Sequence, residues 1–188
     1  MKDMNDFMNS HDRTRSPRSA NPSGAVTLRK PVSEDGAAIW NLIRACKPLD
    51  ENSVYCNLLQ CDHFRDTCVV AEKDGEVVGW ISGYIVPGED TLFVWQVAVG
   101  EKARGLGLAG KMLDEIMERE ECINVDQMKT TITKDNDASW ALFRKFARRH
   151  GGDLDDDPHF HEDDHFEGRH DTEHMVTITL PEPLAAAA

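Results

Sequence analysis

The sequence predicts an α/β chain of the α+β kind, with a central, mixed but mostly antiparallel sheet and helices on both faces. Three observations predict it. The stretch TCVVAEKDGEVVGWISGYIV, residues 67–86, sets an Asp74-Gly75 turn between two β-branched runs, and TLFVWQVAV at 91–99 follows at once, so three strands form an antiparallel meander. The apolar period then changes: Leu108, Met112, Leu113, Ile116 and Met117 recur at helical spacing. Beyond that helix, strand and helix signals alternate, as a sheet covered on both sides requires.

Taken in order, AVTLRKP (25–31) reads as a short strand ended by Pro31. Ser33, Glu34 and Asp35 open a helix whose apolar face is Ile39, Trp40, Leu42, Ile43 and Cys46, and Pro48 stops it. A short helix starts at Ser53, with Tyr55, Leu58 and Leu59 sharing a face. After the meander and the helix from Leu108, MKTTIT (128–133) returns to strand. ASWALFRKFARRHG is a helix closing on Gly151, and HMVTITL (174–180) is a last strand reached through a loop. No internal repeat is visible. The expected organisation is a disordered polar tail over residues 1–24, a single domain over 25–180 and a C-terminal tail over 181–188.

Composition narrows the partners. A formal charge of −13 across 188 residues repels nucleic acid and anionic membrane surfaces and favours cationic small molecules, besides keeping the chain hydrated. No apolar run approaches the ~20 residues that cross a bilayer, and the N-terminal stretch has no hydrophobic core of a secretion signal. The five cysteines, Cys46, Cys56, Cys61, Cys68 and Cys122, form no CxxC pair, which argues against a disulfide framework or zinc ribbon and for a reducing, cytoplasmic compartment.

Two stretches carry chemistry. VAVGEKARGLGLAGKML (97–113) runs from a strand through a basic, glycine-rich turn into an amphipathic helix. Gly105 and Gly107 admit positive φ, and N–H groups at the helix start form an anion site suited to a pyrophosphate, with Lys102 and Arg104 adding charge. It is neither a P-loop nor a GxGxxG fingerprint, and a plain strand-to-helix connection fits the local pattern as well. HFHEDDHFEGRHDTEH (159–174) packs five of the eight histidines among carboxylates, the residue types of a metal centre, though without HExxH spacing.

With Arg104, Gly107 and Ala109 in an R-x-x-G-x-[GA] turn after the strand LFVWQVAV, the chain resembles the GCN5-related N-acetyltransferases from about Val26 to Leu180. The resemblance implies that acetyl-CoA lays its pyrophosphate on residues Lys102 through Ala109, Gly105 and Gly107 included. It also implies that the main chain of Val97 and Val99 pairs with the pantetheine arm, and that the Val97 N–H polarises the thioester. NDASWALFRKF resembles the later family segment in which an asparagine, here Asn136, lies beside the thiol. Where many members carry a tyrosine that protonates the departing thiolate, this chain has Phe143. Direct attack without an acyl-enzyme is implied, leaving the cysteines structural.

KPLDENSVYCNLLQC, GWISGY, FVWQVAV, ITKDNDASWALF and HFEGRHDTEH occur in this order and as a set resemble the L-2,4-diaminobutyrate acetyltransferases of ectoine biosynthesis. That implies acetylation of the 4-amino group and a homodimer. A diamino acid needs acids or carbonyls for its amines and a donor for its carboxylate. Asp50 and Tyr55 would bind one end, His170 and Glu173 the amino-acid end, and Asn136 would line the route to the thioester. Trp80 and Trp95 would supply walls and a cation–π surface. Tyr55 and His170 are the proton-transfer candidates. On this reading the histidine-rich stretch recognises substrate and no metal is expected. The alternatives are an acetyltransferase for another small amine, such as a polyamine or aminoglycoside, and a non-catalytic module binding acetyl-CoA or metal.

Overall fold

The computed structural model describes residues 24–181, so the expected tails, Gly24 and Pro181 apart, lie outside the described residues. Seven strands, β1 (Val26–Arg29), β2 (Val69–Lys73), β3 (Glu76–Ile85), β4 (Thr91–Val99), β5 (Gln127–Thr133), β6 (Asp153–Phe160) and β7 (Glu173–Thr179), form one sheet in the order β1-β2-β3-β4-β5-β7-β6. All neighbours are antiparallel except β4 and β5. The β2–β3 turn has positive φ at both Asp74 and Gly75, the mirror-image geometry that matches strand twist.

Five helices complete the fold: α1 (Gly36–Ala45), α2 (Val54–His63), α3 (Leu108–Met117), α4 (Asp137–His150) and α5 (Glu162–Phe166). Ile39, Leu42 and Ile43 of α1 and Cys61 of α2 pack with Val70, Trp80 and Ala98 on one sheet face. On the other, α3 and α4 bury Met112, Leu113, Ile116, Phe143 and Phe146 against Ile81, Val94, Met128 and Val176. Arg29 fixes the start of α1, its guanidinium bridging Asp35 (2.6 Å) and Glu72 (2.8 Å).

Three expectations need correction. The segment before the last strand is not a loop: it holds β6 and α5. DLDDDPHF pairs with β7 mainly through its backbone at the sheet edge, its side chains almost all exposed, so no apolar alternation marks it. In α2 the buried residues are Asn57, Gln60 and Cys61, while Tyr55 is 68% exposed. Trp80 is no pocket wall, since it is fully buried beneath α1 and α2.

Candidate active site

The parallel pairing of β4 with β5 covers only Thr91 to Phe93; beyond it the strands part. The β3–β4 register fixes what faces the gap. Gly100 N–H donates to the Val78 carbonyl (2.9 Å), and bonded pairs recur at every second residue, so Ala98–Trp80 and Gln96–Ser82 are bonded pairs. Val97 and Val99 therefore turn their main-chain groups toward the opening. The Val99 carbonyl is already engaged, by Arg104 Nε at 3.1 Å and the Cys46 thiol at 3.4 Å.

A bulge sits in this stretch: Ser82 pairs with Gln96 but Gly83 with Val94, leaving Trp95 as the extra residue. Val94 and Val97 then share the core on the α3/α4 face, while Ala98 joins the core under α1. Trp95 and Gln96 consequently emerge together on the α1/α2 face.

At the end of β4, Gly105 and Gly107 both have positive φ, and nothing lies within 4 Å of where a Cβ would stand on either. Gly107 caps α3 in the left-handed conformation, and the first bond of the helix runs from Lys111 N–H to the Gly107 carbonyl (3.2 Å). The amides of Leu108, Ala109 and Gly110 have no acceptor within the helix and point into that open space. Lys102 and Arg104 are exposed beside them. These residues fit a pyrophosphate, and the parted strands fit the pantetheine arm leading from it.

On the α1/α2 face, three residues expected in the site converge. His170 Nε2 lies 3.6 Å from Asp50 Oδ2 and 3.7 Å from Glu173 Oε1. His170 Nδ1 is 2.8 Å from the Asp171 carbonyl; a carbonyl only accepts, so Nδ1 carries the proton and Nε2 faces the carboxylates. That hydrogen bond, with the charges of Glu173, Asp50 and Asp171, raises the His170 pKa. Burial raises the Glu173 pKa, opposed by His170 and by the Thr131 hydroxyl. Its Oε2 is buried without a hydrogen-bond partner, so the pocket holds acceptor capacity for a cation.

Gln96, not expected in the site, ties it together. Its Nε2 donates to the Asp50 carbonyl (2.9 Å) and its Oε1 accepts from Asn52 Nδ2 (3.4 Å). The signal available was a polar residue interrupting an apolar strand. Trp95, 47% exposed, lines a groove of about 490 Å³ with Tyr84, Phe93, Thr131, Phe160 and Met175, joined to the cluster through Thr131. Asn136 caps α4, its Oδ1 accepting from Ser139 N–H (3.1 Å), which leaves only its amide for a ligand. Tyr55 makes none of the contacts that bind Asp50, His170 and Glu173, and Phe143 is a core residue, 2% exposed.

The other histidines of the 159–174 stretch stand apart from this cluster. His161 N–H donates to His165 Nδ1 (2.9 Å), and His174 is buried on the opposite face against Asp156 (2.9 Å). Among the described residues no group of three or more His, Cys, Asp or Glu is arranged to hold a metal ion. All five cysteines are free thiols; burial pushes Cys61 and Cys68 up to about 12 and Cys122 up to about 11, so these three are not ready thiolates.

Residues 36–147 match the family described as Acetyltransferase (GNAT) family. The chain is 48% identical to the L-2,4-diaminobutyric acid acetyltransferase of Vibrio parahaemolyticus over 160 residues, 85% of this chain and 88% of the relative. It is 48% identical to that of Halomonas elongata over 153 residues, 80% and 79% of the two chains. The structure of diaminobutyrate acetyltransferase EctA from Paenibacillus lautus, in complex with its substrate L-2,4-diaminobutyric acid and coenzyme A, superposes with a TM-score of 0.81 at 36% identity, covering 84% of this chain and 96% of that one. With nearly half its residues shared over most of its length and the same fold around the parted strands, the chain belongs to the L-2,4-diaminobutyric acid acetyltransferases of the GNAT family.

Proposed function

We propose that the protein transfers acetyl from acetyl-CoA to the 4-amino group of L-2,4-diaminobutyrate, giving N4-acetyl-L-2,4-diaminobutyrate in ectoine biosynthesis. The observation that carries this reading is the convergence of Asp50, His170 and Glu173 beside the strand whose Val97 amide faces the gap. Two carboxylates and an imidazole suit a substrate with two ammonium groups and one carboxylate. The net charge of −13 favours its approach.

In this reading Asp50 and Glu173 hold the ammonium groups, and Trp95 walls the pocket. An alkylammonium with a pKa near ~10.4 must lose a proton before it attacks. The Nε2 lone pair of His170, made more basic by its neighbours, takes that proton or relays it. The neutral amine forms the new C–N bond at the thioester carbonyl, whose oxygen accepts from Val97 N–H. As the C–S bond breaks, the sulfur leaves with the electron pair and is protonated, while the newly bonded nitrogen gives up its second proton. Because Phe143 has no proton to give, Tyr55, at the start of α2, is the candidate donor. Lys102, Arg104, Gly105, Gly107 and Ala109 hold the pyrophosphate, the Val99 N–H pairs with the pantetheine arm, and the Asn136 amide lies near the thiol.

The same reading places the enzyme in the cytoplasm, supported by five free thiols and by the absence, among the described residues, of any helix long and apolar enough to cross a membrane. It also takes the protein to be a homodimer. Supporting this, the rings of Phe64, Tyr84 and Phe93 adjoin one another beside exposed Trp95 and Phe160.

The test is thiol release from acetyl-CoA with a panel of diamines and diamino acids, with NMR of the product. Selective turnover of L-2,4-diaminobutyrate at N4 is expected. Preference for a simple diamine would overturn the substrate, and ligand binding without CoA release would overturn catalysis.

A further inference from the structure

The carboxylate of Asp50 is 87% exposed, on the connection between α1 and α2. An exposed side chain on a connecting segment is a poor instrument for distinguishing two amines of one small molecule, unless the segment is fixed against the strand that presents the acetyl group. Among the described residues, the hydrogen bonds that tie residues 50–52 to the sheet both come from one side chain, that of Gln96. Gln96 is 9% exposed and directly precedes Val97, so no residue intervenes between the clamp and the amide aimed at the thioester. The bulge at Trp95 makes this possible, because it turns Gln96 toward α1 and α2 while Val97 keeps its main chain toward the gap.

Resting on the acetyltransferase reading above, we propose that Gln96 is a specificity-determining positioning residue. Its amide locks the Asp50 segment to β4, and so sets the distance between the bound ammonium and the thioester and decides which of the two amines is acetylated. Gln96 touches neither reacting atom; it acts through Asp50. Its two bonds are matched to the amide group, since Nε2 must donate to a carbonyl while Oε1 accepts from Asn52. Methionine fills the same space without either bond. Glutamate keeps the acceptor and sets a negative charge against the Asp50 carbonyl.

The experiment compares Gln96→Met, Gln96→Glu and Asn52→Ala with the unaltered enzyme. It reads KM for L-2,4-diaminobutyrate, KM for acetyl-CoA, melting temperature and the ratio of N4- to N2-acetylated product by NMR. For Gln96→Met, KM for the diamino acid should rise about tenfold with KM for acetyl-CoA within about twofold, and N2-acetyl product should appear. Gln96→Glu should be no better than Met. Asn52→Ala, which loses only the longer bond and leaves the core intact, should move the product ratio the same way by less; it decides the matter if the Gln96 variants do not fold. Unchanged product ratios across all three, or a parallel rise in both KM values with a lower melting temperature, would overturn the proposal by reducing Gln96 to a structural residue. Failure of the unaltered enzyme to use L-2,4-diaminobutyrate would instead remove the functional reading, and this inference with it.

Discussion

His170 Nε2 stands 3.6 Å from Asp50 and 3.7 Å from Glu173, so one imidazole nitrogen bridges a carboxylate from the connection after α1 and a carboxylate from the start of β7. The folded protein raises the pKa of both His170 and Glu173. Each therefore binds its proton more tightly folded than unfolded. The stability they contribute is full below the unfolded values, about 4.3 for glutamate and about 6.5 for histidine, and is lost as pH rises through the raised folded values. Melting temperatures of substrate-free protein should accordingly carry a component that falls as pH rises above about 4.3 and further above about 6.5. Glu173→Gln should flatten that component and raise the melting temperature at neutral pH. An unchanged slope in the variant would show that the burial of Glu173 imposes no such cost.

The two carboxylates should differ in weight. Glu173 is largely buried with one oxygen unpaired, while Asp50 is open to solvent. Steady-state kinetics should show KM for the amine rising about 100-fold in Glu173→Ala and about tenfold in Asp50→Ala. KM for acetyl-CoA should stay nearly constant in both. Equal effects on both substrates would contradict the assignment.

Gly107 tests the other half of the site. Its φ of +68° strains a β-branched residue, and a side chain would enter the open space before the free amides of α3. Gly107→Val should weaken CoA binding at least about tenfold by calorimetry while leaving amine recognition to Asp50 and Glu173. Undiminished CoA affinity would rule out the turn as the pyrophosphate seat.

The tryptophans should separate by role. Trp80→Ala opens a cavity under α1 and should cost about 3–5 kcal/mol in denaturant unfolding. Trp95→Ala, at a half-exposed position, should cost less than about 1 kcal/mol yet raise KM for the amine. A Trp95 variant as unstable as the Trp80 variant would place it in the core instead.

The meander was legible because Asp74-Gly75 permits few alternatives to a two-residue hairpin turn, and α3 and α4 because burial on one side imposes a helical period. Asp50, His170 and Glu173 were legible through the ordered segments that carry them. β6 was not: backbone pairing at a sheet edge leaves no mark on side-chain polarity, and a run of aspartates suits a solvated edge. Trp80 was misplaced because it shares the α1/α2 face with Trp95 and Gln96 but lies where α1 and α2 cover the sheet, and nothing local reveals which stretch of a face a helix will cover. Gln96 was missed because its partner is a backbone carbonyl far away in the chain.

The extra residue at Trp95 gives β4 something like a reading frame. Substitutions leave the frame intact, whereas losing one residue between Val94 and Val97 would restore plain alternation and pair all of β4 with β3 in step. Either the residues before the deletion or those after it would then exchange their inward and outward directions, so the groove wall and the acetyl-presenting amide could not both keep their places. Drift in this family should therefore change letters of FVWQVAV other than Trp95 and Gln96, and its length almost never.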